Sequence, residues 1–400
     1  MTMIPRNEYG PRMRRVRFIT PPSGGLFVAS ARAALANCHF SRRRQGQLVI
    51  RGPERAATDL KWLGIDWSET GTPGDTAGAI EHLKQIGRLY PCFETETELR
   101  ARREYRVRRG QSAVYDRAML KLTAAQRATA EAGGKVPHWR FRLSNRTVTW
   151  MDAISGRREA KLPSVSDPVV VTADGTPSSH LTAVVDDIAD GITHVIGPDE
   201  GDGAAGFHID LLDSLGQDSN RVVFAWLPPL GETGRLTIRD LRNDGIDPEA
   251  LSNWLGISAR FNIRDLRSVP DPAALPAINR GVLARRSFMS VADRLPRGAT
   301  EPFWLAIRGH IDLLTEARHW WEVVNGTIFP PMSHDAADFA RALPAEPWNA
   351  AAIAAWLHGL PPGSIAPLRL MLTGEEQGPE LAVLLPLIGR ARALERLGGP

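Results

Sequence analysis

Apolar and polar residues alternate in different ways along the chain. In the first half, and again near residue 192, apolar runs of four or five residues such as 47–50 and 192–196 lie between stretches with helical periodicity. Short runs of this kind are typical of buried parallel strands and predict βαβ units. From 139 to 171, shorter alternating segments predict antiparallel strands. Beyond about residue 240, every periodic segment predicts a helix.

Several elements can be placed more closely. A turn rich in Pro and Gly at 21–25 precedes an alanine-rich run that predicts a helix to about Arg44. Residues 94–122 predict a basic helical hairpin, and 139–143 and 147–150 predict antiparallel strands of a β-rich insertion. The tryptophans at helical positions of the last part are predicted to form core: Trp304, Trp320, Trp321, Trp348 and Trp356.

Length and composition limit the class of protein. A chain of 400 residues is too long for one ordinary core and predicts two or three domains. No apolar run approaches the roughly 18 residues that span a bilayer, and no apolar stretch follows the arginines of residues 1–15. We therefore expect a cytoplasmic protein with neither a membrane span nor a secretory signal. The only cysteines, Cys38 and Cys92, are too few for a zinc site and are predicted to be buried.

The positive charge is almost entirely arginine. The net charge is +4, and lysine occurs at only five positions, all before residue 162. Two explanations stay open: a GC-rich genome, or selection for guanidinium groups that bind phosphates. The arginines cluster at 42–44 and 100–109, where a basic run is either a solvated face or a surface for a polyanion. The candidate RNA contacts are Arg42, Arg43, Arg44, Arg103 and Arg106.

Collinear motifs along the chain resemble those of one known family. They are RF at 17–18 with PSGGL at 22–26, ARAALAN at 31–37, LKWLGIDW at 60–67, DGTP at 174–177, AVVDD at 183–187, GITHVI at 191–196, and PLRL, LTG and GPEL within 367–381. They are similar to the RFAPSPTG-x-LH start, the GARTALFNW helix, the LKWLGLDWDE and VVVDDHLMGITHVIRGEDH segments and the tail of the bacterial glutamyl-tRNA synthetases of class I. Many collinear motifs are stronger evidence than any single one.

The resemblance implies an α/β fold: a class I synthetase with a Rossmann-type catalytic domain at 12–98 and 190–235. An acceptor-binding insertion would occupy 99–189, a stem-contact region 236–285, and an all-helical anticodon-binding domain 286–400. The family reaction is ATP-dependent ligation of glutamate to tRNA. The resemblance therefore implies ATP and magnesium as cofactors, tRNA as partner, and a monomer.

The first ATP motif of the family departs from its pattern here. The family carries an HIGH-like tetrapeptide whose histidine and small residues hold ATP; this chain has Phe27-Val28-Ala29-Ser30. A phenyl ring donates no hydrogen bond, and the side chains of Ala29 and Ser30 crowd a place where backbone should approach the nucleotide. We therefore predict weak ATP binding or none.

The second ATP motif, KMSKR in the family, aligns with Arg235-Leu236-Thr237-Ile238-Arg239. The lysine that contacts the phosphates in the family is thus Ile238, and no lysine lies in the second half of the chain. Arg235 or Arg239 could still reach a phosphate.

The glutamate pocket also departs from the family. The candidate pocket residues are Arg17, Ser23, Gly24, Ser179, His180, Gly197 and Asp199. Arg17 matches the family, but the pocket tyrosine is Ser179, the asparagine is His180, and the arginine that anchors the substrate carboxylate is Gly197. The acidic LRIEDTD run has become IRGPER at 50–55. The pattern predicts a dismantled glutamate pocket.

Two hypotheses follow. The first is a synthetase paralogue whose amino-acid activation is lost or altered, and which binds tRNA or a protein partner through its helical half. The second is an active synthetase for glutamate, or for another small amino acid, with a rebuilt pocket. In that case Glu54 would replace the acidic residues of the family's LRIEDTD run. Arg235 or Arg239 would replace the lysine that contacts the phosphates.

Overall fold

The computed structural model describes residues 13–67, 69–258, 260–329 and 335–398. They form two compact units, the described parts of 1–235 with 256–269 and of 236–255 with 270–400. Residues 1–12, where the sequence argued against a secretory signal, lie outside the described residues. The finer division into five segments stays a prediction.

Two sheets lie in the first unit. The strands of the described residues are β1 Arg15–Ile19, β2 Gln47–Arg51, β3 Glu69–Thr70, β4 Leu89–Cys92, β5 His138–Phe141, β6 Thr147–Asp152, β7 Gly156–Lys161, β8 Val169–Val171, β9 His194–Pro198 and β10 Val223–Leu227. Seven of them form a sheet in the order β3-β2-β1-β9-β10-β6-β7, with every neighbouring pair parallel except β6 and β7. β4, β5 and β8 form a separate antiparallel sheet.

The predicted βαβ start is confirmed. The helices of this unit are α1 Val28–Arg43, α2 Ala57–Trp62, α3 Thr76–Gln85, α4 Glu96–Arg108, α5 Ala124–Ala132, α6 Ser179–Ala189 and α7 Asp202–Ser214. β1 and β2 are parallel, with Val16 opposite Leu48, and α1 connects them. The small side chains of Ala31, Ala34 and Ala36 are almost wholly buried, which lets the helix backbone pack closely.

One sequence prediction about the insertion was wrong, and another was confirmed without giving the pairing. Residues 94–122 contain one α-helix, α4, followed by an irregular segment and a short 3-10 helix at Ala118–Lys121, instead of a helical hairpin. The strands predicted at 139–143 and 147–150 exist but do not pair with each other. β5 pairs with β4 and β8, whereas β6 pairs with β7 and β10. Pairing partners depend on tertiary contacts, which a local pattern does not contain.

Helices are the only regular elements among the described residues of the second unit. Its helices are α8 Ile238–Asp244, α9 Pro248–Trp254, α10 Leu275–Leu283, α11 Glu301–Ile307, α12 Ala317–Asn325, α13 Ala336–Ala342, α14 Ala350–His358, α15 Ile365–Thr373, α16 Leu381–Ile388 and α17 Arg390–Arg396. The five tryptophans predicted as core contribute to one apolar cluster: Trp304 and Trp320 are buried, and Trp321, Trp348 and Trp356 pack against it.

Cys38 and Cys92 are buried free thiols, as predicted. Within the described ranges, no helix has the length and apolar character needed to cross a membrane. Nor do three or more His, Cys, Asp or Glu side chains converge there as a metal site.

Candidate functional site

The carboxyl ends of β1, β2, β9 and β10 lie side by side, the edge at which open α/β sheets bind ligands. The loop from β1 to α1 leaves this edge. Gly24 has a φ of +91°, a conformation that favours glycine, and Ser23 beside it is exposed. The end of the loop is fixed by a 2.9 Å hydrogen bond from the Leu26 N–H to the Asp59 carboxylate. The turn expected from the sequence is therefore present.

Hydrocarbon side chains occupy the beginning of α1. Phe27 is the N-cap residue, its side chain caps no N–H group, and 40% of it is exposed. Val28 is fully buried, and Ser30 is half-buried. Ala29 lies against a turn of the same unit, because a Cβ added to Gly234 would be 3.3 Å from the Cβ of Ala29. A helix N-terminus attracts phosphate through free N–H groups and its dipole, but here a phenyl ring flanks it.

An ion-pair network surrounds Arg17. The Nε atom of Arg17 lies 3.1 Å from a carboxylate oxygen of Asp187, and its Nη1 atom donates to the Ile196 carbonyl at 3.3 Å. Arg51, the last residue of β2, donates to Asp187 at 2.9 Å and to Asp190 at 2.6 Å. Arg51 belongs to the run that replaces the acidic run of the family. A positive charge therefore stands where the resemblance implies negative charge.

A buried aromatic cluster contains His180. Its ring centroid lies 4.6 Å from that of Phe207 and 5.4 Å from that of His208. Three buried nitrogens, Nε2 of both histidines and Nε1 of Trp226, have no hydrogen-bond partner in the described part of the chain. A Cβ added to Gly197 would be 3.9 Å from the Trp226 ring, so this glycine leaves space where the family has an arginine.

The cluster is uncharged at neutral pH. Burial lowers the pKa of His180 to about 4; the positive charge of Arg17 lowers it further, and Asp187 opposes the shift. Burial also lowers the pKa of His208 well below its usual value, with smaller contributions from His180 and Arg17. Ser179, in place of the family's tyrosine, is exposed at the start of α6. These groups suit a neutral polar ligand better than a carboxylate.

Asp199 directly follows β9, and its carboxylate accepts hydrogen bonds from other residues of the protein. Arg158 donates to its two carboxylate oxygens at 2.8 and 3.1 Å, and the Gly201 N–H donates at 2.9 Å. Burial alone would raise the pKa of Asp199, but these hydrogen bonds and the charge of Arg158 lower it. Its role in a substrate pocket stays a prediction.

In the segment aligned with KMSKR, residues 235–239, the central residues Thr237 and Ile238 contribute to the fold. Arg235 is exposed and lies 3.5 Å from Glu232. Thr237 caps α8, accepting a hydrogen bond from the backbone of Asp240. Ile238, the first residue of α8, is fully buried, whereas Arg239 is exposed. The position of the family's phosphate-binding lysine is thus a core position here.

Two arginines of the first cluster, residues 42–44, form contacts within the protein. Arg43 donates to the backbone carbonyls of Arg260 and Phe261, which ties α1 to the segment 256–269. Arg42 donates to the Gly64 carbonyl and pairs with Asp66 at 3.0 Å. Arg44 is exposed at the end of α1. RNA binding by this cluster stays a prediction.

The second cluster lies on α4, which buries none of its residues. Arg103 is exposed and has neither an ion pair nor a hydrogen bond among the described residues. Arg106 donates to the Ser112 carbonyl at 3.0 Å and has no carboxylate partner there. Arg103, Arg106 and the exposed Arg44 have no carboxylate partner among the described residues, and they are the more available of the predicted RNA contacts.

Sequence reasoning missed three participants in these sites. The sequence shows Arg51 as a basic residue in a run that is acidic in the family, but it does not show which residues pair with Arg51. His208 and Trp226 lie on α7 and β10, which carry no motif that points to the pocket. Only the parallel pairing of β9 with β10, with Gly197 opposite Trp226, brings them together.

Comparisons with known proteins agree with this architecture. Residues 13–230 match the family model of the class I tRNA synthetases (E and Q), catalytic domain. Glutamate–tRNA ligase 2 of Granulibacter bethesdensis is 42% identical over 96% of this chain and 98% of its own length. The Acidiphilium cryptum protein of the same name is 43% identical, over 96% and 99%.

A solved structure matches the fold. The crystal structure of glutamate-tRNA synthetase from Elizabethkingia anophelis superposes with a TM-score of 0.77, covering 97% of this chain and 99% of that one. At 19% identity this likeness concerns the fold alone. The family match and the curated relatives span the motifs found in the sequence, and with them the chain belongs to the glutamate–tRNA ligases within the class I tRNA synthetases.

Proposed function

We propose that this member of the glutamate–tRNA ligases binds tRNA without activating glutamate. The observation that carries the proposal is Phe27 at the beginning of α1, an exposed phenyl ring at the position of the family's ATP-contacting histidine. The family implies ATP use, and the residues present here do not fit its phosphates. Ile238, fully buried in the second unit, supports the proposal because it supplies no charge.

The amino-acid pocket supports the same proposal. Arg17 is the family's remaining pocket cation, but its charge is balanced by Asp187. Gly197 supplies no second cation, and Arg51 is held by Asp187 and Asp190, so it does not supply one either. A glutamate side chain would enter this pocket without the guanidinium partner that the resemblance implies.

A second candidate function is an active synthetase for a different amino acid. The three unpartnered nitrogens of His180, His208 and Trp226 favour it, because buried polar groups normally find partners and a neutral polar ligand would supply them. For the phosphates, the compensating side chains would be Arg235 and Arg239, both exposed. Exchange of pyrophosphate into ATP, assayed with each amino acid in turn, separates the two functions.

Calorimetric titration of the Arg103→Ala, Arg106→Ala variant with ATP and magnesium is expected to give no binding up to about 1 mM, a free energy weaker than about −4 kcal/mol. This variant is used because Arg103 and Arg106 have no carboxylate partner among the described residues and could bind ATP phosphates away from α1. The physical reason is the loss of preorganised donors at Phe27 and Ile238. The Granulibacter bethesdensis relative, titrated in the same buffer, is the positive control. Micromolar binding by this variant would contradict the proposal and show that the phosphate site has been rebuilt.

The affinity for tRNA is expected to fall steeply with salt, because phosphate contacts release counterions. In filter binding across a salt series, Arg103→Ala with Arg106→Ala is expected to reduce the slope of log K against log salt by about 1.4–1.8. Arg221→Ala, which removes an exposed arginine paired with Asp218, is the matched control and should leave the slope unchanged. A tRNA affinity that does not change with salt concentration, or no binding to any tRNA at low salt, would favour a protein partner.

A further inference from the structure

A cavity of about 650 Å³ lies beside α4 in the first unit. Its walls are α4, the irregular segment at 112–116 and the residues at 164–166, with Arg140 of β5 also contributing. The volume falls within the range of about 300–1,000 Å³ that is usual for small-molecule sites. None of the catalytic motifs of the family resemblance contributes to this cavity.

α4 is an unusual wall for such a cavity, because none of its 13 residues is buried. The helix is stabilised locally by a capping box between Thr95 and Glu98 and by the exposed pairs Glu96–Arg100 and Glu104–Arg108. A helix that contributes nothing to a core needs another reason to carry five arginines between residues 100 and 108, with a sixth, Arg109, directly after it.

The cavity is strongly positive. Five arginines line it, against the carboxylates of Glu96 and Asp116. Arg102 is held between Glu94 and Asp116, 3.5 Å from each, so its charge is balanced. Arg103 and Arg106 have no such partner among the described residues. Their planar donor groups match phosphate oxygens.

Arg140 supplies a second, independent observation. Its side chain is 9% exposed, it lines the cavity, and its Nε–H has no hydrogen-bond partner in the part of the chain described. Another of its nitrogens donates to the Asp167 carbonyl at 2.6 Å, and its guanidinium lies 4.3 Å from the centre of the Tyr115 ring. The guanidinium is therefore held in place, and these contacts do not use all five of its N–H donors. Because Arg140 lines the cavity with N–H donors to spare, an anionic ligand there would gain a charge-assisted hydrogen bond.

The remaining wall is suited to a heterocycle. Leu99, Val114 and Val165 line the cavity with apolar surface, and the Tyr115 ring faces it beside them. The Tyr115 hydroxyl is occupied by a 2.8 Å hydrogen bond to Glu94, which fixes the ring. Apolar surface next to arginines without carboxylate partners is the combination that a base carrying a phosphate requires.

We infer that this cavity binds one phosphate-bearing nucleotide, with the phosphate on Arg103, Arg106 and Arg140 and the base against the apolar wall. Two sources share this chemistry: a free nucleoside monophosphate and a terminally phosphorylated RNA strand. The inference rests on the proposed RNA binding for the second source only.

Calorimetry on the full chain tests it with AMP, CMP, adenosine and a four-nucleotide RNA with or without a 5′-phosphate. AMP or CMP is expected to bind at least tenfold more tightly than adenosine, because charge-assisted hydrogen bonds are lost with the phosphate. Binding of the phosphorylated RNA alone, again tenfold above the unphosphorylated strand, would support the inference with RNA as the source. Equal binding with and without phosphate, or no binding of any probe at low salt, would overturn it.

Variants assign the binding to this cavity. Arg103→Ala with Arg106→Ala is expected to weaken AMP binding about tenfold or more. Arg109→Ala, which removes an exposed arginine beside the same helix that does not line the cavity, is expected to change it less than about twofold. Equal losses in both variants, or none in either, would overturn the assignment. Since α4 buries no residue, neither change removes a core contact.

The outcome is separable from that of the proposed function. Replacing Arg103 and Arg106 would not change nucleotide binding at the edge of the large sheet, because neither residue lies there. If the protein charged tRNA with glutamate, the proposed function would be contradicted. The nucleotide titrations of these variants would not change.

Discussion

Neither Phe27→His alone nor Phe27→His with Ile238→Lys is expected to charge tRNA with glutamate above the wild-type background. The histidine returns a donor at the beginning of α1. Gly197, however, still offers no anchor for the substrate carboxylate, and Arg51 stands where the resemblance implies an acidic residue. Each missing preorganised donor costs about 10²–10³ in rate, and parts of a site that act as a unit are not restored singly. We expect charging at least about 10⁴-fold below that of an active relative assayed alongside.

Ile238→Lys needs its own control, because Ile238 is fully buried and a lysine there loses hydration. Leu236→Lys places the same charge on an exposed residue of the same segment. Both lysine variants are therefore combined with Phe27→His and assayed with labelled glutamate at high enzyme concentration. Robust charging by the wild type would refute the proposed function. A large gain from Phe27→His alone would show that the rest of the pocket is competent.

Asp187→Ala is expected to destabilise the first unit by about 3–5 kcal/mol, the usual effect of removing one partner from a buried ion pair. Arg17 and Arg51 both pair with Asp187, and the three side chains are only 11%, 10% and 4% exposed. Their positive charges would then lie close together, and Asp190 would remain as a partner for Arg51.

The measurement is hydrogen–deuterium exchange of peptides from β1 and β2, since a chain with two compact units need not unfold in one step. Asp218→Ala is the matched control, because Asp218 forms an exposed pair with Arg221 and should leave exchange unchanged. Wild-type protection in Asp187→Ala would mean that the network contributes little to stability.

Local patterns were enough for much of the fold. The alanine-rich run after the first turn is α1, the apolar runs at 47–50 and 192–196 lie in or overlap β2 and β9, and the described residues after 240 form helices and no strand. These features depend on the spacing of apolar residues, which neighbouring positions alone define. The motifs located Phe27 and Ile238 for the same reason, since each is read from its adjacent residues.

Partners distant in the chain were decided only by the tertiary structure. The sequence could not show that β6 joins the large sheet while β5 joins the small one, because each strand offers the same backbone groups to any neighbour. Nor could it show that Asp187 sits between Arg17 and Arg51, 170 and 136 positions away. Charge and hydrogen bonding act over a few ångströms in space, whatever the separation in sequence. The sequence thus determined which family residues are missing, and the packing of β1, β2, β9 and α6 decided what replaces them.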